Sequence, residues 1–188
     1  MSDAQLNERA WSFVESQLAC NEWLKDGCSI AAGGGRIIDC GITSGGSCEA
    51  GLFLARLTLC DLAEVSIGPG EDPELPFDQV FVKTSQPVAA CMASQYAGWQ
   101  ISVGDFFAMG SGPMRAAYGG EKLFKDIGHI EKATRIVGAL ETRQQPSAEV
   151  FDFIAGKTGV EPKNIILAVA PTASDAGGVQ VVARSVET

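Results

Sequence analysis

The segment Asn164 to Ala170 constrains the fold most strongly, because it is almost wholly apolar and has the length of a strand. A strand without alternating polar positions is typical of the centre of a sheet that helices cover on both faces. Enough apolar side chains are present to enclose such a sheet, since 46% of the residues are hydrophobic. We therefore expect a globular chain built around this strand.

Segments with helical and extended periodicity alternate along the chain. Ser47 and Ser147 each precede an apolar helical segment and are predicted to be N-caps, and Gly33 to Gly35 supply the positive φ of a hairpin turn. The alternation favours an α/β fold with mixed α and β layers over a sandwich or a bundle. Helices are predicted over residues 3–24, 48–62, 89–97 and 148–157, and strands over 29–32, 36–40, 63–67, 79–83, 99–103, 135–140 and 164–170.

The charge balance argues against a nucleic-acid partner. Lys and Arg number 14 and Asp and Glu number 23, so the formal net charge is −9. Duplex binding depends largely on Lys and Arg side chains that neutralise phosphates.

No apolar run approaches the roughly 20 residues that cross a bilayer, and the amino terminus is polar. We expect a soluble, cytoplasmic protein with no membrane partner.

The cysteines and the single histidine give little support to metal or thiol chemistry. The six cysteines form no C-x-x-C pair, and Cys20 and Cys60 lie among apolar neighbours, which favours small buried free thiols in a reducing compartment. A thiol nucleophile stays open as the weaker alternative. His129 is the only histidine and lies in a polar stretch, where a solvated side chain is expected. We therefore predict no metal site and no Ser-His-Asp triad.

The loop Gly110 to Pro113 is the first place where a ligand could bind. Glycines let backbone N–H groups approach an anion, and Pro113 suits the first position of a helix. A phosphate or carboxylate cradle and a tight packing turn both fit this pattern. The loop matches neither a Walker motif nor the dinucleotide fingerprint.

Two further loops and one charged pair are candidates. Residues 39–47 and 170–174 join small polar groups to the ends of predicted strands, where α/β proteins usually bind ligands, although helix capping would explain Ser47 and Ser174 equally well. Arg184 and Glu187 would share one face of a helix that begins near Ser174. An exposed helical ion pair of little energetic weight is the simpler interpretation of their spacing.

Six stretches carry a family resemblance: residues 38–41, 46–51, 90–99, 104–113, 168–174 and 180–188. The longest uninterrupted run among them is Gly104 to Pro113. Taken together, these stretches resemble methenyltetrahydromethanopterin cyclohydrolase, a one-carbon enzyme of methanogenic and related archaea and of methylotrophic bacteria. The stretches follow one another in order along nearly the whole chain.

The resemblance implies two α/β domains with the pterin in the cleft between them, and a homotrimer. Residues 1–170 would form the first α/β domain, and residues 171–188 would begin a catalytic helix or second-domain segment that is incomplete. The second domain is therefore expected to be incomplete or absent. No cofactor and no metal are implied, because tetrahydromethanopterin is itself the substrate carrier.

The family's reaction adds water to the methenyl carbon that bridges N5 and N10 and then breaks the bond to N10, which leaves an N5-formyl group. By resemblance Glu187 activates the water, and Arg184 nearby lowers the pKa of Glu187 and so favours its charged form. An assembly-only fragment and a phosphate- or nucleotide-binding domain stay as alternatives, and Gln95 and Asp105 are the preferred substrate contacts. The predicted substrate-binding residues are Ser94, Gln95, Asp105, Phe106, Ser111, Gly112 and Thr172.

Overall fold

The computed structural model describes residues 5–43, 45–70, 74 and 77–185. The described chain is a mixed α/β structure, which confirms the predicted fold class. Its helices are α1 Leu6–Cys20, α2 Glu22–Asp26, α3 Cys48–Thr58, α4 Met114–Tyr118, α5 Lys122–Ile127, α6 Ala148–Thr158 and α7 Asp175–Arg184, together with a π-helix Val88–Gln95 and a 3-10 turn Pro162–Asn164. Its strands are β1 Cys28–Ile30, β2 Arg36–Asp39, β3 Ala63–Pro69, β4 Asp78–Thr84, β5 Trp99–Val103, β6 Phe106–Ser111, β7 Ile136–Glu141 and β8 Ile165–Ala170.

The main sheet has the strand order β1-β2-β8-β7-β6-β5. Strand β8 runs parallel to both of its neighbours, β2 and β7, whereas the remaining pairs are antiparallel. All six residues of β8 are buried, which confirms the predicted central strand. Strands β3 and β4 form a separate antiparallel pair.

The two faces of the main sheet pack against different helices. We call the first the α3 face, since its residues Ile38, Val137, Ala139 and Ala168 share one apolar core with α1, α3 and the start of α7. The opposite face, which we call the α6 face, packs against α6 through a second core that includes Ile37, Leu140, Leu167 and Val169. Alternate residues of each strand therefore enter different cores.

Local capping signals account for where several helices begin. The Ser47 hydroxyl accepts a hydrogen bond from the Ala50 N–H at 3.1 Å, and Ser174 does the same for Gly177 at 3.1 Å. Ser147 occupies the predicted N-cap position of α6, but its side chain makes no capping hydrogen bond, so that part of the prediction is wrong. The predicted helix 3–24 is divided at Asn21, whose backbone is extended.

The six cysteines are free thiols, and three of them are buried. Burial raises the pKa of the Cys40 and Cys60 thiols strongly, which disfavours the thiolate and argues against a nucleophilic role for these two. Cys20 is exposed, so its predicted burial is wrong: it is the last residue of α1, where the helix leaves the core. Within the described residues, no helix is both long and apolar enough to span a bilayer.

Two adjacent glycines of α7 give a matched test of how this helix docks. A Cβ at Gly177 would overlap the carbonyl oxygen of Pro171, whereas one at Gly178 would meet nothing within 4 Å. We expect Gly177→Ala to lower the free energy of unfolding by about 1–3 kcal/mol and Gly178→Ala to raise it by about 0.5–1 kcal/mol. Urea unfolding of both variants measures the difference, and equal effects would contradict the docking of α7 described here.

Candidate functional site

The carboxyl ends of the parallel strands meet at one edge of the main sheet. Asp39 ends β2, Glu141 ends β7 and Ala170 ends β8. Ligands of α/β sheets usually bind outside such an edge. A cleft of about 370 Å³ opens there, with Asp105 and Thr172 among its lining residues. The structure thus brings together two of the residues predicted to bind substrate.

Arg184 reaches this edge from α7. Its Nη1 donates a hydrogen bond to Glu141 Oε1, and the two side chains are only 17% and 14% exposed. The helix predicted near Ser174 is confirmed by α7, and it presents Arg184 to β7 across 43 positions of sequence. Glu187 lies outside the described residues, so its neighbourhood to Arg184 stays a prediction.

Strand β6 sends alternate residues to the two faces of the sheet. Ser111 pairs with Ala139 and Met109 pairs with Glu141, which places Ser111 on the α3 face, close to the strand that carries Glu141. Phe106 is buried in the core of the α6 face. Its neighbour Phe107 is 55% exposed and lines the cleft. The exposed aromatic of this strand is therefore Phe107 rather than the predicted Phe106.

The π-helix lies over the same face, because its Ala93 belongs to the core of the α3 face. The Ser94 hydroxyl donates to the Thr58 carbonyl and lies 2.9 Å from the Cys60 sulfur, so this side chain is directed into the protein. The Ser94 carbonyl accepts from the Gly112 N–H at 2.9 Å. This bond joins the two stretches that carry the predicted residues 94–95 and 111–112.

Four side chains carry buried polar atoms that make no hydrogen bond within the described part of the chain. The Gln95 amide lacks a partner for both its nitrogen and its oxygen. The other atoms without a partner are Ser111 Oγ, Gln180 Nε2 and Trp23 Nε1. Each such atom costs about 1–3 kcal/mol, and so requires an explanation such as a bound water or a ligand. Gln180 lies one turn before Arg184 on α7, on the same side of the helix.

The loop Gly110 to Pro113 behaves as a packing turn. Gly112 has φ +90°, and a Cβ there would lie 3.4 Å from the Gly138 Cα. Its N–H is already bonded to Ser94, and the following helix α4 has only five residues. These contacts favour the packing interpretation over a phosphate cradle.

Asp39 organises the loop that follows β2. Its carboxylate accepts hydrogen bonds from the N–H groups of Gly41 (2.9 Å), Ile42 (2.7 Å) and Thr43 (3.0 Å), from the Thr43 hydroxyl (2.5 Å) and from Gln145 Nε2 (3.0 Å). Burial alone would raise the pKa of Asp39, but these donors hold it below its ordinary 3.8. The carboxylate thus fixes one loop of the edge and ties it to the loop after β7.

Asp39→Asn is expected to lower the free energy of unfolding by about 1.5–3 kcal/mol at pH 7. The amide nitrogen of Asn cannot accept hydrogen bonds, so some of the donors that now bind the Asp39 carboxylate would lose their acceptor. The folded-state pKa lies below the unfolded one, so the carboxylate's contribution is complete above 3.8 and is lost as the pH falls through the folded value. Urea unfolding from pH 7 to pH 3 should show the two proteins converging. The exposed Asp152→Asn is the control, and a gap that does not shrink would contradict the assigned role.

Comparison with known proteins identifies the family. A family model described as Cyclohydrolase (MCH) matches residues 5–188. The chain belongs to the cyclohydrolase family. This confirms the family resemblance on which the substrate and the site residues were predicted.

Relatives of this cyclohydrolase-family chain occur in archaea and bacteria. The methenyltetrahydromethanopterin cyclohydrolase of Methanococcoides burtonii is 41% identical over 97% of this chain and 58% of its own length, and that of Methanosarcina barkeri is 44% identical over 97% and 57%. The enzyme of the same name from Xanthobacter autotrophicus is 45% identical over 80% of this chain and 45% of its own length. The chain therefore spans somewhat more than half the length of the archaeal relatives.

The sequence did not single out Glu141 or Gln180 as site residues. Gln180 could have been found from its spacing of four from Arg184, which repeats one helical face. Glu141 carries no such signal, because its contact with Arg184 depends on the docking of α7. Across the described ranges, no three His, Cys, Asp or Glu side chains are grouped so as to hold a metal ion.

Proposed function

We propose that this chain provides the reaction face for hydrolysis of 5,10-methenyltetrahydromethanopterin to the N5-formyl compound. One observation carries the proposal. In a member of the cyclohydrolase family, Glu141, the partner of Arg184, lines the cleft at the carboxyl ends of the strands, and the buried side chains of Gln95, Ser111 and Gln180 carry polar atoms without a partner among the described residues. Such buried donors and acceptors suit an ordered water or a polar ligand.

The proposed reaction requires the protein to position the substrate and a water molecule and to transfer protons. The methenyl carbon belongs to a cationic amidinium-like system and is already electrophilic, so water is the nucleophile. A base must remove a proton from this water, and a proton must reach N10 as its bond to carbon breaks. Glu187 is the proposed base, three residues after Arg184. The Gln95 amide, which can donate and accept, is proposed to contact the pterin or the water.

Glu141 is proposed to offset the repulsion between Arg184 and the cationic substrate. A guanidinium beside a cationic substrate repels it, and the carboxylate paired with Arg184 offsets that repulsion. Glu141 also fixes where Arg184 points. We propose that Glu141 is the counter-ion that makes Arg184 compatible with a positively charged one-carbon unit.

Glu141→Gln is therefore expected to weaken binding of the methenyl pterin by roughly 5- to 30-fold, since a unit charge ~10 Å away contributes about 1–2 kcal/mol at an effective dielectric of ~20. An equilibrium titration followed by the absorbance of the methenyl group measures the dissociation constant. Glu161→Gln removes the same charge from an exposed side chain that precedes the start of β8, at the opposite edge of the sheet, and should leave the constant unchanged. Equal effects of the two variants would contradict the proposal.

The proposed activity is tested directly by adding this chain to methenyltetrahydromethanopterin and following the loss of the methenyl chromophore. Acceleration over the spontaneous reaction supports the proposal. A chain that forms trimers and binds pterin without acceleration would favour the assembly-only alternative. Neither binding nor acceleration would overturn the assignment. A homotrimer, a cytoplasmic location and the lack of a cofactor stay predictions.

A further inference from the structure

Arg115 is a fully buried charge beside the proposed site. Its guanidinium forms a two-point ion pair with Glu121, Nε to Oε1 at 2.8 Å and Nη2 to Oε2 at 2.6 Å, and the Arg115 side chain is 0% exposed. Buried ion pairs contribute little net stability over apolar replacements of the same shape, because both charges lose their water. The presence of this pair calls for a role other than filling the core.

The third nitrogen of the guanidinium holds the end of the π-helix. Arg115 Nη1 donates to the carbonyl oxygens of Met92 and Ser94, each at 3.1 Å. The last carbonyls of a helix have no partner within it, so Arg115 acts as their cap. The rings of Tyr96 and Phe124 lie 5.0 Å and 5.3 Å from the guanidinium carbon, which completes the enclosure.

The fit around Glu121 leaves little freedom. A Cβ at Gly98 would overlap Glu121 Oε2, so the approach of this carboxylate to Arg115 requires glycine at position 98. The residue next to Ser94 is Gln95, whose amide is buried without a described partner. A π-helical turn is rare and frequently occurs at functional sites.

We propose that Arg115, oriented by Glu121, is a positioning residue for the cyclohydrolase reaction. It fixes the turn Met92 to Gln95 so that the Gln95 amide faces the substrate. This inference rests on the proposed function, because only under that function does Gln95 contact a pterin or its ordered water. Arg115 itself does not touch the substrate.

A double-mutant cycle in the whole chain separates positioning from general stability. Arg115→Lys keeps the charge but cannot hold Glu121 and two carbonyls together. We expect it to weaken methenyl pterin binding roughly tenfold in the natural sequence and less than about twofold in a Gln95→Leu background, since the route through Gln95 is then already lost. A role confined to stability would give the same factor in both backgrounds, and that result, or no change in either, overturns the inference.

A control variant, a replacement variant and a second measurement complete the test. Arg135→Lys alters another Arg–Glu pair, the surface pair with Glu8, and should leave binding unchanged. If Arg115→Lys does not fold, Gly98→Ala replaces it, as the added methyl displaces Glu121, and the same cycle applies. The side-chain amide signal of Gln95, assigned by its loss in Gln95→Leu, should move in Arg115→Lys without ligand. If the natural chain binds no pterin, the proposed function fails, and an unmoved Gln95 signal then overturns the positioning role separately.

Discussion

Glu187→Gln should lower the rate of methenyl pterin hydrolysis by roughly 100- to 10,000-fold. The amide keeps the size and much of the hydrogen bonding of the carboxylate but cannot accept the proton of the attacking water. General base assistance has this magnitude, which corresponds to about 3–5 kcal/mol of transition-state stabilisation. Initial rates from the loss of methenyl absorbance, at saturating pterin, measure the effect on the chemical step.

The matched control is Glu161→Gln, which changes an exposed glutamate paired with Lys163. Its rate should equal that of the natural sequence. Pterin binding by Glu187→Gln should weaken, because a negative charge beside the cationic substrate is lost, and saturating pterin keeps this effect out of the measured rate. A Glu187→Gln chain that hydrolyses at the natural rate would show that another group takes the proton.

Arg184→Ala should lower the rate by about 100- to 1,000-fold, as removal of one preorganised electrostatic group at a reacting centre typically does. It also leaves the Glu141 carboxylate in a mostly buried place without its partner, so the free energy of unfolding should fall by roughly 1–3 kcal/mol. Rates and urea unfolding of the same preparation measure the two effects.

The double variant Arg184→Ala with Glu141→Gln distinguishes the two consequences. Removing the orphaned charge should restore most of the lost stability, but the rate should remain low because the guanidinium is still absent. A double variant that regains the rate would mean that Arg184 matters only for folding.

Features that depend on neighbouring residues were predicted well from the sequence. The apolar run of β8 and the caps Ser47 and Ser174 are local, and each appears in the structure as expected. Strand β6 was not predicted, because its Phe-Phe start and glycines do not alternate in polarity. The register of β6 then decides that Phe107, and not Phe106, faces the cleft, and a shift of one residue reverses such a choice.

The proposed site depends on contacts between distant parts of the chain. Asp105 and Thr172 were predicted and share the cleft, but the Arg184–Glu141 pair requires α7 to dock against β7. The stretch 89–97 was predicted as a short helix. Its π-helical form has no signal in the local pattern, and the contacts that hold its end come from Arg115, more than twenty residues away. The burial of Ser94 likewise depends on Thr58 and Cys60, which no local pattern reveals.

Under the proposed function, the bound methenyl pterin or its ordered water contacts the Gln95 amide of the π-helix and the Gln180 amide of α7. Titration of the 15N-labelled chain with the pterin follows the side-chain amide signals of these two residues. The expected result is a saturable shift of both signals with one dissociation constant. Unchanged signals there, with shifts instead in the cleft lined by Arg9, Arg56 and Lys83, would contradict the claim.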